Sequence, residues 1–357
     1  MKNIVRILGR AVRFLLPQMW YIEGPEETTG ESLALIWCGS RKQQAYMINR
    51  IFGTSAIEQR RIGRRPIMLL DHLQESHNCS LAIVAGPQQI LSFLSREEDF
   101  CVPWWIDAEL DLDEAQESMG RPKSLKEDLR RVRNNQLGYT VSKDAANYRY
   151  YYDRFYVPTI TGSHGAAALL SSFDERWQEI DSGGAEVMFV TMDEKPIGGL
   201  ILNYRNEIPA LRDIGILDGN KEILKTGVIS AAHYFAMTHL KEQGFERVCL
   251  GLSRCFLNDG VLTYKQKWKP TLMEPSQESF MFRVSRLNNA SRSFLRSSSY
   301  VAEQDGGIHF AFFAANDEDA RANESQLTRL SSIYGIDAYS SIDVSGQRPQ
   351  LQRASWK

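Results

Sequence analysis

Cysteine is scarce in this 357-residue sequence: Cys38, Cys79, Cys101, Cys249 and Cys255 are far apart and odd in number. No Cys-x-x-Cys pair exists, so zinc spacing and a disulfide framework are both unsupported, and reduced, buried thiols of a cytoplasmic protein are the expectation. No apolar run reaches the length that a membrane span requires. Charge of one sign is lacking too. The formal net charge is −2, so any contact with nucleic acid, nucleotide or membrane must come from a local patch. There is no Walker loop and no Gly-x-Gly-x-x-Gly. His72 and His77 have neither a His-Glu-x-x-His pattern nor a carboxylate at a useful third position, so no metal site is expected. No internal repeat is visible.

What is present is ordinary globular material, 43% hydrophobic and 24% charged, at a length that favours more than one domain. From Met1 to Leu16, Arg6, Arg10 and Arg13 share one face of a possible helix while Ile4, Ile7, Leu8, Val12 and Leu15 gather opposite. Two readings stand: a helix docked on the protein's own body, or a peripheral membrane contact that would make the cytoplasmic protein membrane-associated.

After Pro17 short strands and helices alternate. Ser32 to Cys38 and Ser80 to Val84 have strand character, and Arg41 to Phe52, Pro66 to Leu73 and Gln88 to Leu94 have helical spacing. An acidic run from Asp107 to Glu114, then Gly120-Arg-Pro122, marks a boundary. Ser124 with Glu127 forms a capping-box pattern for a helix carrying Lys126, Arg130 and Arg133 on its polar face. Tyr139 to Val141 reads as a strand, Ala145 to Tyr156 as an aromatic helix, Gly162 to Gly165 as a loop and Ala166 to Ile180 as a helix. Glu186 to Thr191 and Ile197 to Tyr204 form a hairpin, followed by a strand at Ala210 to Leu217. A long helix, Glu222 to Gln243, ends at Gly244. Arg247 to Gly251 is a strand, Val261 to Trp268 a helix and Ser279 to Val284 a strand. Ser285 to Ser299, rich in Ser, Asn and Arg, reads as a linker or an exposed segment, ahead of a strand-helix-strand tail.

Three linked strands, a long helix, a strand and a shorter helix are the order of the acyl-CoA-binding half of a GNAT fold. In that fold two parallel strands splay apart and the following helix start receives phosphate oxygens, here at Asp218 to Thr226. The usual phosphate loop is absent: Gly219 and Gly227 are not at its spacing. Gly251-Leu-Ser253 at a strand end, followed by Gly260-Val-Leu-Thr-Tyr264-Lys265-Gln-Lys-Trp268, resembles the Fem-type (FemAB-like) branch of the GNAT superfamily, although Lys269 stands where that branch usually has Gly. The resemblance spans roughly Ser124 to Pro270. It implies an α/β (α+β) fold of tandem GNAT-like (acyl-CoA N-acyltransferase) halves with mixed central sheets. The halves would be residues 1–118 and 119–290, with 291–357 as linker and tail.

The resemblance also implies an acyltransferase of the bacterial type that moves an activated acyl group onto a small-molecule or cell-envelope amine. Acyl-CoA is the favoured donor and no cofactor is tightly bound. Aminoacyl-tRNA is the alternative donor, and a catalytically silent binding module in envelope or polysaccharide assembly is the alternative from another class. By resemblance, Lys265 pairs with a phosphate or carboxylate and Tyr264 lies near the reacting ester. Amine acylation needs an oxyanion stabiliser and a proton source. Tyr264 could supply the proton, and Asp213 or His233 could accept one from the amine. Each has a structural alternative: Tyr264 and His233 as packing, Asp213 as a turn cap or ion-pair partner. The expected donor site is Gly219, Asn220, Lys221, Thr226 and Ser253. The expected substrate or tRNA contacts are Lys126, Arg130 and Arg133 on the basic helix, Tyr151 on the aromatic one, and Trp268. Gly251-Leu-Ser253 also invites comparison with a hydrolase nucleophile elbow, but it lacks the second Gly and a His-Asp partner.

Overall fold

The computed structural model describes residues 15–118, 123–164, 170–304 and 306–354; the basic segment Met1 to Leu16 falls almost wholly outside them. In chain order the strands are β1 (Gln18–Pro25), β2 (Ser32–Cys38), β3 (Glu58–Arg64), β4 (Leu81–Pro87), β5 (Phe100–Pro103), β6 (Ala108–Asp111), β7 (Gly138–Ser142), β8 (Ala185–Met192) and β9 (Lys195–Asn203). They continue as β10 (Ala210–Ile216), β11 (Arg247–Cys249), β12 (Thr271–Leu272), β13 (Glu278–Val284), β14 (Tyr300–Gln304), β15 (Gly307–Ala314), β16 (Tyr339–Asp343) and β17 (Gln350–Ala354).

The chain divides into two compact units, one of residues 1–106, 253–263 and 274–357, the other of residues 107–252 and 264–273. These bounds differ from the 1–118, 119–290 and 291–357 expected above. The acidic stretch contributes β6 to the second unit. β13 belongs to the first, where Phe280 and Phe282 are buried between β4 and β5. The tail is the four-stranded sheet β14-β15-β16-β17 of that same first unit.

The first unit's main sheet runs β3-β1-β2-β4-β13-β5. All neighbours are antiparallel except β2 and β4, which are parallel. Both strands of that pair are nearly continuous apolar runs because the sheet is covered on both faces. The second unit's sheet runs β12-β6-β11-β10-β9-β8-β7. Again one pair, β10 and β11, is parallel and the rest are antiparallel. Each unit is therefore α/β with a mixed sheet in which a parallel pair is followed by two antiparallel strands, the kind of mixed sheet expected above for GNAT-like halves. One apolar layer of the second unit packs the helix Val228–Glu242 onto the sheet through Val228, Ala231, Ala232, Ala236 and Leu240. Another gathers Tyr148, Tyr151, Phe155, Tyr156 and Phe189.

Several elements begin or end elsewhere than their sequence pattern suggests. The basic helix spans Lys123–Asn134, which puts Ser124 inside its first turn rather than ahead of it. A helix covers Val157–His164, where Gly162 to Gly165 reads as a loop; Thr161 Oγ1 bonds back to Val157 O at 2.7 Å. The next helix is Phe173–Asp181, because Ser172 and Glu175 close a capping box there. The Ser-rich stretch after Val284 is not a bare linker. Asn288 and Ser291 cap a helix, Asn289–Arg296, whose Ala290, Phe294 and Leu295 are buried. The long helix starts only at Val228, since Gly227 takes φ 88° and separates it from two short 3₁₀ turns. With Cβ contacts of 3.3 Å awaiting it at Asp128 O and Arg131 Cβ, residue 227 favours glycine on conformation and on space.

Candidate active site

The parallel pair of the second unit opens almost as soon as it forms. β10 and β11 share the single register pair Ala210↔Cys249, with Cys249 N–H donating to Pro209 O at 2.8 Å. One residue later, Leu250 N–H turns to Ala108 O on β6, at 2.7 Å. On its other edge β10 shifts register against β9 between Arg212 and Gly215, and Asp213 there adopts φ 52°. A bulge adds twist and bends its strand. Strands that part stop sharing ladder bonds along the gap; on the β11 side Leu250 N–H has turned to β6 and Gly251 N–H to the sulfur of Cys249. Gly251, at the mouth of the gap, has φ 76°, and a Cβ there would lie 2.8 Å from Leu211 O. Only glycine fits both demands.

The helix Gly260–Lys265 and the turn Gln266–Trp268 present the resemblance residues to this end of β11. Lys265 is 2% exposed, and its Nζ donates to Gly251 O. Beside it, Cys249 Sγ lies 3.1 Å from Asp107 Oδ1 and accepts Gly251 N–H at 3.3 Å. Burial pushes the Cys249 thiol up to about 12, so it stays protonated and is not a nucleophile.

Tyr264 is the start of a half-buried polar chain. Its hydroxyl is 3.1 Å from Ser230 Oγ, and Ser230 Oγ donates to Asp128 Oδ2 at 3.0 Å. Ser230 has one proton and spends it on the carboxylate, so Tyr264 donates to Ser230. Asp128 Oδ2 also receives Lys267 Nζ at 2.8 Å, and Arg131 lies 3.5 Å from Oδ1. Burial raises the Tyr264 phenol above its ordinary range, so it keeps its proton at neutral pH. The chain Tyr264–Ser230–Asp128–Lys267 runs from a half-buried phenol through the buried Ser230 to a partly exposed ammonium.

His233 packs against this group, its ring centroid 5.1 Å from Tyr264 and 5.9 Å from the stacked Trp268. Its Nδ1 is 2.8 Å from Ile229 O. A carbonyl only accepts, so Nδ1 carries the proton. Burial first, and the nearby Lys265 charge, hold His233 down to about 4. It is neutral and a weak base. Asp213 is elsewhere, ion-paired to Arg176 Nε at 2.7 Å, and Arg176 also holds Glu179 at 3.1 Å. Burial raises Asp213 against the opposing pull of Arg176. Tyr151, fully buried, staples the bulge next to it: its hydroxyl lies against Asp213 O, is 3.0 Å from Gly199 O and takes the Gly215 N–H.

The structure thus brings Tyr264, Lys265, His233 and Trp268 together, and places Asp213 with Tyr151 in a separate aromatic cluster. Trp268 is 2% exposed and, like Tyr151, is set to pack rather than to meet an acceptor in solvent. Gly219, Asn220, Lys221 and Thr226 lie on the 3₁₀ turns, so the helix start is Gly227 to Ser230, not Asp218 to Thr226. Asn220 caps its own turn through Glu222 N–H at 3.0 Å, and Thr226 Oγ1 bonds Ile223 O at 2.7 Å. Ser253 falls in the first unit. Lys126, Arg130 and Arg133 are exposed on their helix, Arg130 paired to Glu127 at 2.8 Å. Asp128, Ser230 and Lys267 carry no signal in the sequence, since Asp128 and Ser230 are 102 residues apart. No three-residue group of metal-ligating side chains occurs among the described residues, and no described helix is long and apolar enough to cross a membrane.

No protein-family profile matches the chain, and neither does any curated protein. Solved structures with a similar arrangement include FemX, at 12% identity and TM-score 0.37, covering 73% of this chain and 83% of that one. The L-PGS structure from Bacillus licheniformis follows at 11% identity and TM-score 0.37, covering 72% and 79%. A tandem GNAT protein of the clavulanic acid biosynthesis pathway is similar at 10% identity and TM-score 0.32, covering 65% and 76%.

Proposed function

We propose that the second unit transfers an activated acyl group to an amine, with acyl-CoA as donor. The observation that carries this reading is the opened β10–β11 pair with Lys265 and Tyr264 at its β11 end. A carbonyl seated in the gap would lie where β10 and β11 no longer share ladder bonds, beside the Gly251 N–H that now rests on the weak acceptor Cys249 Sγ. The amine attacks, the C–N bond forms and the C–S bond breaks. The departing thiolate takes the Tyr264 proton, and the proton shed by the amine returns through Asp128 and Ser230. Positioning and proton transfer suffice, with no metal or redox group in any step. Lys265, held on Gly251 O, fixes the chain at the mouth of the gap and contributes a buried positive charge. Asp128 is assigned the amine's proton because Ser230 links it to Tyr264; protonating His233 would bury a second charge beside Lys265, and Asp213 lies apart, on Arg176.

The phosphates of the donor are assigned to the start of the helix Val228–Glu242. Its first turn has no side-chain cap, its dipole favours anions, and Arg131 and Lys267 flank it. A second reading, with aminoacyl-tRNA as donor, is supported by the exposed Lys126, Arg130 and Arg133, a face able to meet several phosphates.

Calorimetry separates the readings. CoA binding that falls only shallowly with salt, as a few phosphate contacts require, supports the first. Binding of tRNA that falls steeply with salt, by a slope of about −0.7 to −0.9 per phosphate contact, supports the second. If neither binds, the reading as an acyltransferase fails and a silent GNAT-like module replaces it.

A further inference from the structure

The first unit holds a buried cation whose hydrogen-bonding capacity is unspent. Arg254 is 9% exposed. Its guanidinium carbon lies 3.4 Å from the ring centroids of both Trp104 and Trp105, and 4.3 Å from that of Tyr46. Rings close to a guanidinium satisfy its charge in part, but they do not replace oxygen acceptors for its five N–H groups. Among the described residues Arg254 has no ion pair, and its Nη1 is buried without a hydrogen-bond partner.

The contrast with Arg283, also 9% exposed and in the same unit, is direct. Arg283 donates to Asp99 at 2.7 Å and to Leu94 O at 2.9 Å. The carboxylate acting on Arg254 is Asp259, but its Oδ1 takes the N–H groups of Val261 and Leu262, each at 3.0 Å. Next to Arg254 in sequence, Ser253 is 2% exposed and its Oγ also lacks a partner. The main chain of Ser253 is fixed by two bonds to Ile106, at 2.8 and 2.9 Å. Two adjacent buried donors without acceptors, on a rigid backbone and beside three aromatic rings, are rare in a folded core. Burial lowers Arg254 only to about 10, so the charge persists at neutral pH.

We propose that Ser253 and Arg254 are the anchor of an oxyanion site in the first unit, which takes the carboxylate or phosphate group of an organic acid. Tyr46, Trp104 and Trp105 supply aromatic walls for the apolar body next to that group. The planar fork of Arg254 matches two oxygens of such a group, and the three rings around it confine its orientation. The site does not depend on acyl transfer in the other unit.

The test uses the full chain and follows tryptophan fluorescence and thermal stability during titration with inorganic phosphate or with benzoate, ionic strength being held constant with chloride. Saturable binding of either probe is expected, and which probe saturates tells phosphate from carboxylate. Arg254→Lys, which keeps charge but not the fork, should weaken binding about ten-fold, and Ser253→Ala about five-fold, the scale of a buried hydrogen bond. Tyr264→Phe should bind as wild type does, which separates this site from the proposed acyltransferase chemistry. The proposal is overturned if neither anion saturates, if binding is unchanged in Arg254→Lys and Ser253→Ala, or if Arg254→Met folds more stably and binds the anion equally well.

Discussion

The two units use the same sheet plan and treat its parallel pair in opposite ways. In the first, β2 and β4 stay in register over Leu35↔Leu81, Ile36↔Ala82, Trp37↔Ile83 and Cys38↔Val84, and all eight residues are buried. In the second, β10 and β11 keep one register pair before a bulge, a left-handed Asp213 and a left-handed Gly251 draw them apart. A closed pair stabilises by burial and hydrogen bonding on both faces. An open pair gives up ladder bonds, and a fold retains such a loss where a ligand can replace them. On the proposed function, the difference puts acyl transfer in the second unit.

The sharpest way to break this contrast is one substitution in each pair. Tyr264→Phe removes only a hydroxyl beside the open pair. Its effect on acyl transfer should be large, about 10²- to 10⁴-fold in turnover, with a loss of stability of only about 1 kcal/mol. Ile83→Ala in the closed pair should do the reverse. It should destabilise the chain by about 2–5 kcal/mol and leave turnover of the folded fraction unchanged. Turnover and denaturant unfolding on both variants decide it; equal loss of activity in the two would erase the distinction between the units.

A smaller effect should appear in the pH dependence of stability. His233 titrates near 4 in the folded chain against about 6.5 when unfolded. Between those values the unfolded state binds the extra proton, so stability falls as pH drops from 6.5 toward 4. The loss is at most about 3 kcal/mol at 1.36 kcal/mol per unit. His233→Gln should flatten this part of the profile, measured by denaturant midpoint at pH 7 and pH 4.5. An unchanged slope in the variant would show that His233 is not the group responsible.

Sequence pattern revealed elements whose signal is local. The apolar runs of β2 and β4, the β8–β9 hairpin and the Tyr264-Lys265-x-x-Trp268 spacing are all short-range features. Where a single backbone angle or a distant partner decides, the pattern misleads. Lys221 to Thr226 has helical composition, yet the φ of Gly227 separates it from the helix. The short β6 reads as part of an acidic linker, because its pairing with β11 lies far along the chain. The half-buried chain from Tyr264 to Lys267 passes through Asp128 and Ser230, which only folding brings within hydrogen-bonding distance. Asp213 and His233 have the right chemistry for a base, but folding sets Asp213 on Arg176, apart from Tyr264 and Lys265, and burial beside Lys265 opposes a charge on His233.

The smallest effect concerns the turn that delivers Lys265 and Trp268. Lys269 stands where the Fem-type pattern usually has glycine, and it adopts φ 54°, ψ 54°. The turn therefore forms without glycine, with a side chain in the left-handed region. That conformation costs a non-glycine residue about 1–2 kcal/mol, of which glycine recovers only a part, since its unfolded chain is more flexible. Lys269→Gly should then stabilise by about 0.5–1 kcal/mol and leave turnover within two-fold, by analogy with other surface substitutions. Stabilisation with a fall in turnover would mean instead that the Lys269 side chain takes part in donor binding, which would extend the open site beyond Trp268. Destabilisation would mean that Lys269 makes contacts that outweigh the strain of its backbone.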